Sequence, residues 1–186
     1  MHFMFRSYAK CGFHKRRLKY SLKEIPLDKK IKFKIIAVGN DLYGDDGIGN
    51  AVLNTLREIP EMNSIELIDG ATDALGMIDH FENTEHVIVI DAAQMGEQPG
   101  TVKVFNKDEV KLKIKMDHLT VHGISLAETF DIAQTVDKLP EKVTIIGIEP
   151  KNIGITEKLS DTVTQSIPII VSHIINLTHI NTLSGG

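Results

Sequence analysis

Residues 32–49 read K-F-K-I-I-A-V-G-N-D-L-Y-G-D-D-G-I-G. The near-continuous apolar run that ends at Gly39 suits a strand buried on both faces. Beyond the glycine-rich turn, Ile48, Ala51, Val52, Thr55 and Leu56 recur at helical spacing until Pro60 closes the segment. Strand, glycine-rich turn and helix open an α/β unit. Such turns commonly aim backbone N–H groups and a helix N-terminus at phosphate, yet Asp45 and Asp46 stand in the middle of this one and oppose an anion. The pair points to a cationic guest.

Outward from this stretch the pattern repeats. Residues 64–70 (S-I-E-L-I-D-G) and 86–92 (H-V-I-V-I-D-A) read as strands that end in Asp, with a helix expected over 72–82 between them. After a turn-rich loop, T-V-K-V-F (101–105) alternates as an edge or antiparallel strand does. Ser125 and Glu128 form a capping box, which predicts a helix to about Val136 with Ser125 as its N-cap. K-V-T-I-I-G-I-E-P (142–150) is the last central strand, and a helix from Ser160 contains Pro168, where a kink or break is expected. The expected fold is a three-layer α/β/α sandwich around a mixed, mostly parallel central sheet of about five strands. Residues 31–180 are assigned to one α/β domain, residues 1–30 to a flexible basic tail and residues 181–186 to a short C-terminal tail.

Composition narrows the classes. A chain of 186 residues, 42% hydrophobic, has the size and apolar content of one ordinary globular domain. No apolar run approaches the ~20 residues that span a bilayer. Cys11 is the only cysteine, so no internal disulfide can form, and a reducing cytoplasm is the expected location. The net charge of -4 hides an asymmetry: residues 1–34 carry a balance of +9, and the remainder carries -13. An acidic body argues against a nucleic-acid partner, whose binding domains present a basic face. The N-terminal stretch lacks the apolar region and cleavage site of a secretory signal, and Cys11 with His14 is at most half a metal site.

In an open α/β sheet functional groups gather at the carboxyl ends of the parallel strands. Four acidic positions fall there: the Asp45–Asp46 pair, Asp69, Asp91 and Glu149. Taken singly, each has the ordinary reading of a turn former or helix cap. Their coincidence at one sheet edge, on loops expected to be exposed, favours a site. His122 adds a nitrogen just ahead of the capped helix. Two carboxylates and an imidazole suit a borderline divalent cation such as Ni, Zn or Co. H-L-T-V-H (118–122) has the histidine spacing of a zinc protease, but Leu119 replaces the catalytic Glu and the segment precedes a helix rather than lying in one. A nucleotide-binding α/β protein would also explain strand, glycine turn and helix, but it ranks low because neither G-x-G-x-x-G nor G-x-x-x-x-G-K-[ST] is present and Asp45 and Asp46 oppose phosphate.

G-N-D-L-Y-G-D-D-G-I-G (39–49), V-I-V-I-D-A-A-Q-M-G-E-Q-P-G (87–100), H-G-I-S-L-A-E (122–128) and G-I-E-P (147–150), in this order, resemble the hydrogenase maturation proteases, over about residues 33–178. The resemblance implies an endopeptidase that removes the C-terminal extension from the precursor of a [NiFe] hydrogenase large subunit once nickel is inserted. It implies Asp46, Asp91 and His122 as the catalytic and metal-contacting residues, with Asp69 in a supporting role. The nickel is expected to arrive with the substrate, and other divalent ions to bind the same site adventitiously. A monomer is expected, with no membrane span. Nickel acting on the scissile carbonyl or on water, and a carboxylate acting as general base, remain alternatives. A nickel-sensing checkpoint or chaperone that cuts nothing is the rival reading.

Overall fold

The structure, a computed structural model, describes residues 31–73, 75–110, 125–156 and 158–179. Five strands form one sheet: β1 (Ile31–Ala37), β2 (Glu66–Asp69), β3 (Thr84–Ala92), β4 (Val102–Asn106) and β5 (Lys142–Ile148), in the spatial order β2-β1-β3-β5-β4. All pairings are parallel except β4 with β5, which is antiparallel. The alternating stretch 101–105 thus lies at an edge, as its pattern predicts.

Period-two alternation sorts the core into two layers. Ile36, Val38, Val87, Val89, Val143 and Ile145 pack on one face with Phe81 of a 3-10 turn and Phe130 of α2 (Leu126–Thr135). Ile35, Ala37, Ile88, Ile90, Ile146 and Ile148 face the other way. There they meet α1 (Ile48–Arg57), through Val52 and Leu56, and α4 (Ile167–Thr178), through Ile170 and Ile174. Both sheet faces are covered, which is the expected α/β/α sandwich. Burying each of the Val, Ile, Leu and Phe side chains contributes about 1.5–3 kcal/mol.

Local signals explain most element ends. Ser125 accepts from the Glu128 amide, and the Glu128 carboxylate accepts from the Ser125 amide over 2.7 Å, so α2 starts where the capping box places it. The C-terminal helix breaks rather than kinks. A short turn, α3 (Asp161–Thr164), ends first, and α4 then begins with Pro168 in its first turn, where a missing N–H costs nothing.

The expected helix over 72–82 is not formed. Among the described residues of that stretch there is a 3-10 turn, Gly76–Phe81. Gly76 disfavours a regular helix, and the Asp73 carboxylate instead accepts from the Gly76 amide at 2.8 Å. At the far end, Lys34 Nζ donates to the carbonyls of His80 and Glu82 at 3.0 and 3.2 Å. This lysine, buried within β1, satisfies acceptors that another helical turn would have used.

Candidate functional site

The strand order reverses direction between β1 and β3: the chain leaves β1 toward β2 on one side and returns to β3 on the other. In open α/β sheets a crevice opens at the carboxyl ends at such a point. Main-chain bonds hold its rim together. Val38 N–H donates to the Ile90 carbonyl at 2.9 Å, Gly70 N–H to Ala37 at 2.8 Å, and Ala93 N–H to Ile148 at 2.9 Å. Gly49 brings the first turn of α1 against this rim, since a β-carbon there would stand 3.0 Å from the Val38 oxygen and 3.3 Å from the Ile90 oxygen.

Asp46 lies in a 3-10 turn, Asp45–Gly47, immediately before α1, and Asp91 is the penultimate residue of β3. Both are buried, 5% and 0% exposed, rather than displayed on open loops as expected. One oxygen of Asp46 is oriented by the main-chain N–H of Asn40, which donates to it over 2.8 Å. Asn40 was not singled out in the sequence, although its place in G-N-D-L is its only signal. By alternation Asp91 continues the Val87 and Val89 series, on the sheet face that α2 covers. The C-terminal end of α2 sits at the opposite end of the sheet, because Lys138 just beyond it pairs with Asp79 and Glu82 ahead of β3. The N-cap Ser125 therefore lies toward the carboxyl ends of the parallel strands. His122, three positions before Ser125, lies outside the described residues.

The other acidic positions have different work. Asp45 is wholly buried and accepts from the amides of Lys151, Asn152 and Ser160 and from the Ser160 hydroxyl. Its guest is backbone N–H, not a cation, which corrects the reading of Asp45 and Asp46 as one cation-binding pair. Glu149 accepts from the Met95 and Glu97 amides at 2.7 and 3.0 Å and so anchors the loop that follows Asp91. Asp69 is exposed and accepts from the Ala71 amide at 2.9 Å. That turn, with Ala71 at φ 47°, lets the Ala71 carbonyl receive Gly39 N–H. Among the described residues no group of three or more His, Cys, Asp or Glu side chains is arranged to hold a metal ion. A shallow depression of about 270 Å³, lined by Asp41, Gly44, Gly47, Ala51, Asn54 and Leu159, borders the turn.

Known proteins share this architecture. The hydrogenase maturating endopeptidase HybD from E. coli superposes with a TM-score of 0.69 at 23% identity, over 80% of this chain and 92% of that one. The [NiFe] hydrogenase maturation protease HybD from Thermococcus kodakarensis gives 0.61 at 25% identity, over 78% and 98%. In sequence, the hydrogenase expression/formation protein HupD of Rhizobium leguminosarum bv. viciae is 28% identical over 120 residues, 64% of this chain. That match spans 59% of the length of HupD. The family model described as hydrogenase maturation protease matches residues 51–177, from the first helix through nearly all of α4. A buried Asp at the end of β3 and a capping box ahead of α2 both fall within that stretch, and the chain belongs to the hydrogenase maturation protease family.

Proposed function

We propose that this chain is an endopeptidase that removes the C-terminal extension of the nickel-loaded large-subunit precursor of a [NiFe] hydrogenase. Membership of the family supports the class of reaction. The observation that carries the reading to this chain is the burial of Asp46 and Asp91 at the carboxyl ends of the paired strands β1 and β3, where the connections that follow them part to opposite sides of the sheet. Burying a carboxylate is costly, and the chain does so twice at the end of the sheet where open α/β folds bind their ligands.

In this reading Asp46, Asp91 and His122 meet the nickel that the precursor already holds. The metal is part of the substrate, and the protein contributes oxygen and nitrogen donors that recognise it. Asn40 orients the Asp46 carboxylate, and Glu149 steadies the loop after Asp91. The donors thus test whether nickel is present before the peptide is cut. The enzyme works as a monomer in the cytoplasm, with residues 1–30 outside the α/β domain. No helix among the described residues is long and apolar enough to cross a membrane.

The test is cleavage of purified, nickel-loaded precursor by the purified protein, followed by intact-mass spectrometry. Loss of the C-terminal extension is the expected result. Stable binding to the precursor without cleavage would favour a nickel-sensing checkpoint module instead.

A further inference from the structure

We propose that Asp45 is a positioning residue: its carboxylate fastens the segment 151–160 to the turn Asp45–Gly47 and thereby fixes the neighbouring Asp46 carboxylate. The inference rests on the function proposed above and adds to it a residue that touches neither metal nor peptide.

The geometry is specific. Asp45 Oδ1 accepts from the Ser160 amide at 2.6 Å. Oδ2 accepts from the amides of Lys151 and Asn152, at 2.9 and 2.8 Å, and from Ser160 Oγ at 3.0 Å. Every donor comes from the stretch that follows β5, and three of the four are main-chain groups. Asp45 therefore reads the path of that segment rather than its side chains. The main chain adds to the junction: Gly44 N–H donates to Thr156 at 2.6 Å, Asp45 N–H to Asn152 at 3.0 Å, and Thr156 N–H to Leu42 at 2.9 Å.

The opposite side of the turn is closed as well. The Asp46 carbonyl lies so near Gly39 that a β-carbon there would stand 2.0 Å from its oxygen, and Asn40 N–H holds the Asp46 carboxylate. The turn that carries Asp46 is thus gripped between residues 39–40 and residues 151–160. A carboxylate suits this position because it only accepts. Asparagine has the same shape, but its amide group only donates, so either orientation sets it against a donor: Ser160 N–H one way, Lys151 and Asn152 N–H the other. Releasing one side of the grip lets the turn shift. Displacements of about 0.5–1 Å at a reacting group reduce turnover.

The full chain, ¹⁵N-labelled, is compared as wild type, Asp45→Asn and Ser160→Ala by ¹H–¹⁵N spectra, amide exchange and steady-state kinetics on nickel-loaded precursor. The Asn40 amide is the reporter because it donates to Asp46. In Asp45→Asn the amides of Asn40, Lys151 and Asn152 should exchange faster while those of Val89 and Ile145 in the sheet stay unchanged. kcat should fall about tenfold or more, with KM within about twofold of wild type. Ser160→Ala removes one of the four donors, and also the hydroxyl that caps α3, and should give a smaller fall in the same direction. Free exchange at Lys151 and Asn152 with the Asn40 amide and kcat at wild-type values would overturn the proposal. So would a raised KM at constant kcat. Should Asp45→Asn fail to fold, Ser160→Ala decides by the same two readouts. A wild-type protein that cuts no precursor sinks the proposed function, while the Asn40 amide still reports whether Asp45 holds Asp46 in place.

Discussion

Gly39 and Asp46 touch through their backbones: a β-carbon on Gly39, at φ 133°, would lie 2.0 Å from the Asp46 carbonyl oxygen. No flexible side chain is available to yield, and the conformation is one that L-residues avoid. Gly39→Ala should therefore destabilise the protein by at least about 2 kcal/mol and lower Tm by about 5 °C or more. Thermal denaturation followed by circular dichroism measures it. An unchanged Tm would mean that the turn carrying Asp46 can retreat from β1 without cost.

Asp46→Asn, Asp91→Asn and His122→Ala should each reduce precursor processing by about 100-fold or more. The Asn variants keep the volume of two buried side chains, so far-UV circular dichroism should remain that of the wild type. Gel-shift assays of processing and the spectra are read together. Normal processing by all three variants would place the site elsewhere.

Precursor prepared without nickel should remain uncut, and loading nickel into it should restore cleavage. Two carboxylates and one imidazole give weak selectivity for a free ion and depend on donors already arranged around a bound one. Mass spectrometry of paired reactions tests this. Efficient cutting of nickel-free precursor would remove the metal from the recognition step.

His86 is buried in β3, and its Nε2 is 2.8 Å from Thr144 Oγ1. Burial first, and the Lys142 charge second, lower its pKa from 6.5 to about 4. Folded protein thus keeps this imidazole neutral at pH values where the unfolded chain binds a proton. The resulting stability is present above about pH 6.5 and is lost as pH falls toward about 4, by at most ~3 kcal/mol. Denaturant titrations between those limits should show a shallower acid loss for His86→Gln than for wild type. Parallel profiles would show that another group sets the slope.

Deleting residues 1–30 should leave both Tm and processing nearly unchanged. Ile31 is already part of β1, paired with Thr84 and donating to the Asn83 carbonyl, and the described core draws only on later residues. A truncated protein that aggregates, or that loses cleavage at moderate salt, would assign those residues to the working enzyme.

Much of the fold was legible because its signals are local. Apolar runs marked β1, β3 and β5, alternation marked β4 as an edge, and Ser125 with Glu128 marked the start of α2. Gly76 is an equally local signal against a helix over 72–82, and Met77, Ile78 and Phe81 reach the core from a 3-10 turn instead. The lysine that ends the turn, Lys34, lies 46 residues from His80 and could not be anticipated from neighbours. The acidic edge was legible as a set, and the division of labour within it was not. Nothing near Asp45 or Glu149 in sequence reveals that their partners are backbone amides 106 and 54 residues distant. Composition marks a carboxylate, and only the tertiary path says whether it faces an amide or a crevice.

The separation of Asp45 from its partners also has a meaning in time. Lys151 follows Asp45 by 106 residues. At roughly 5–20 residues per second, synthesis takes about 5–20 s to travel from one to the other. During that interval β1, α1, β2 and β3 can emerge, while the turn bearing Asp46 lacks one of the two segments that grip it. A growing chain therefore meets the cell with this end of the sheet unassembled, and the end closes only when β5 and the segment behind it have left the ribosome.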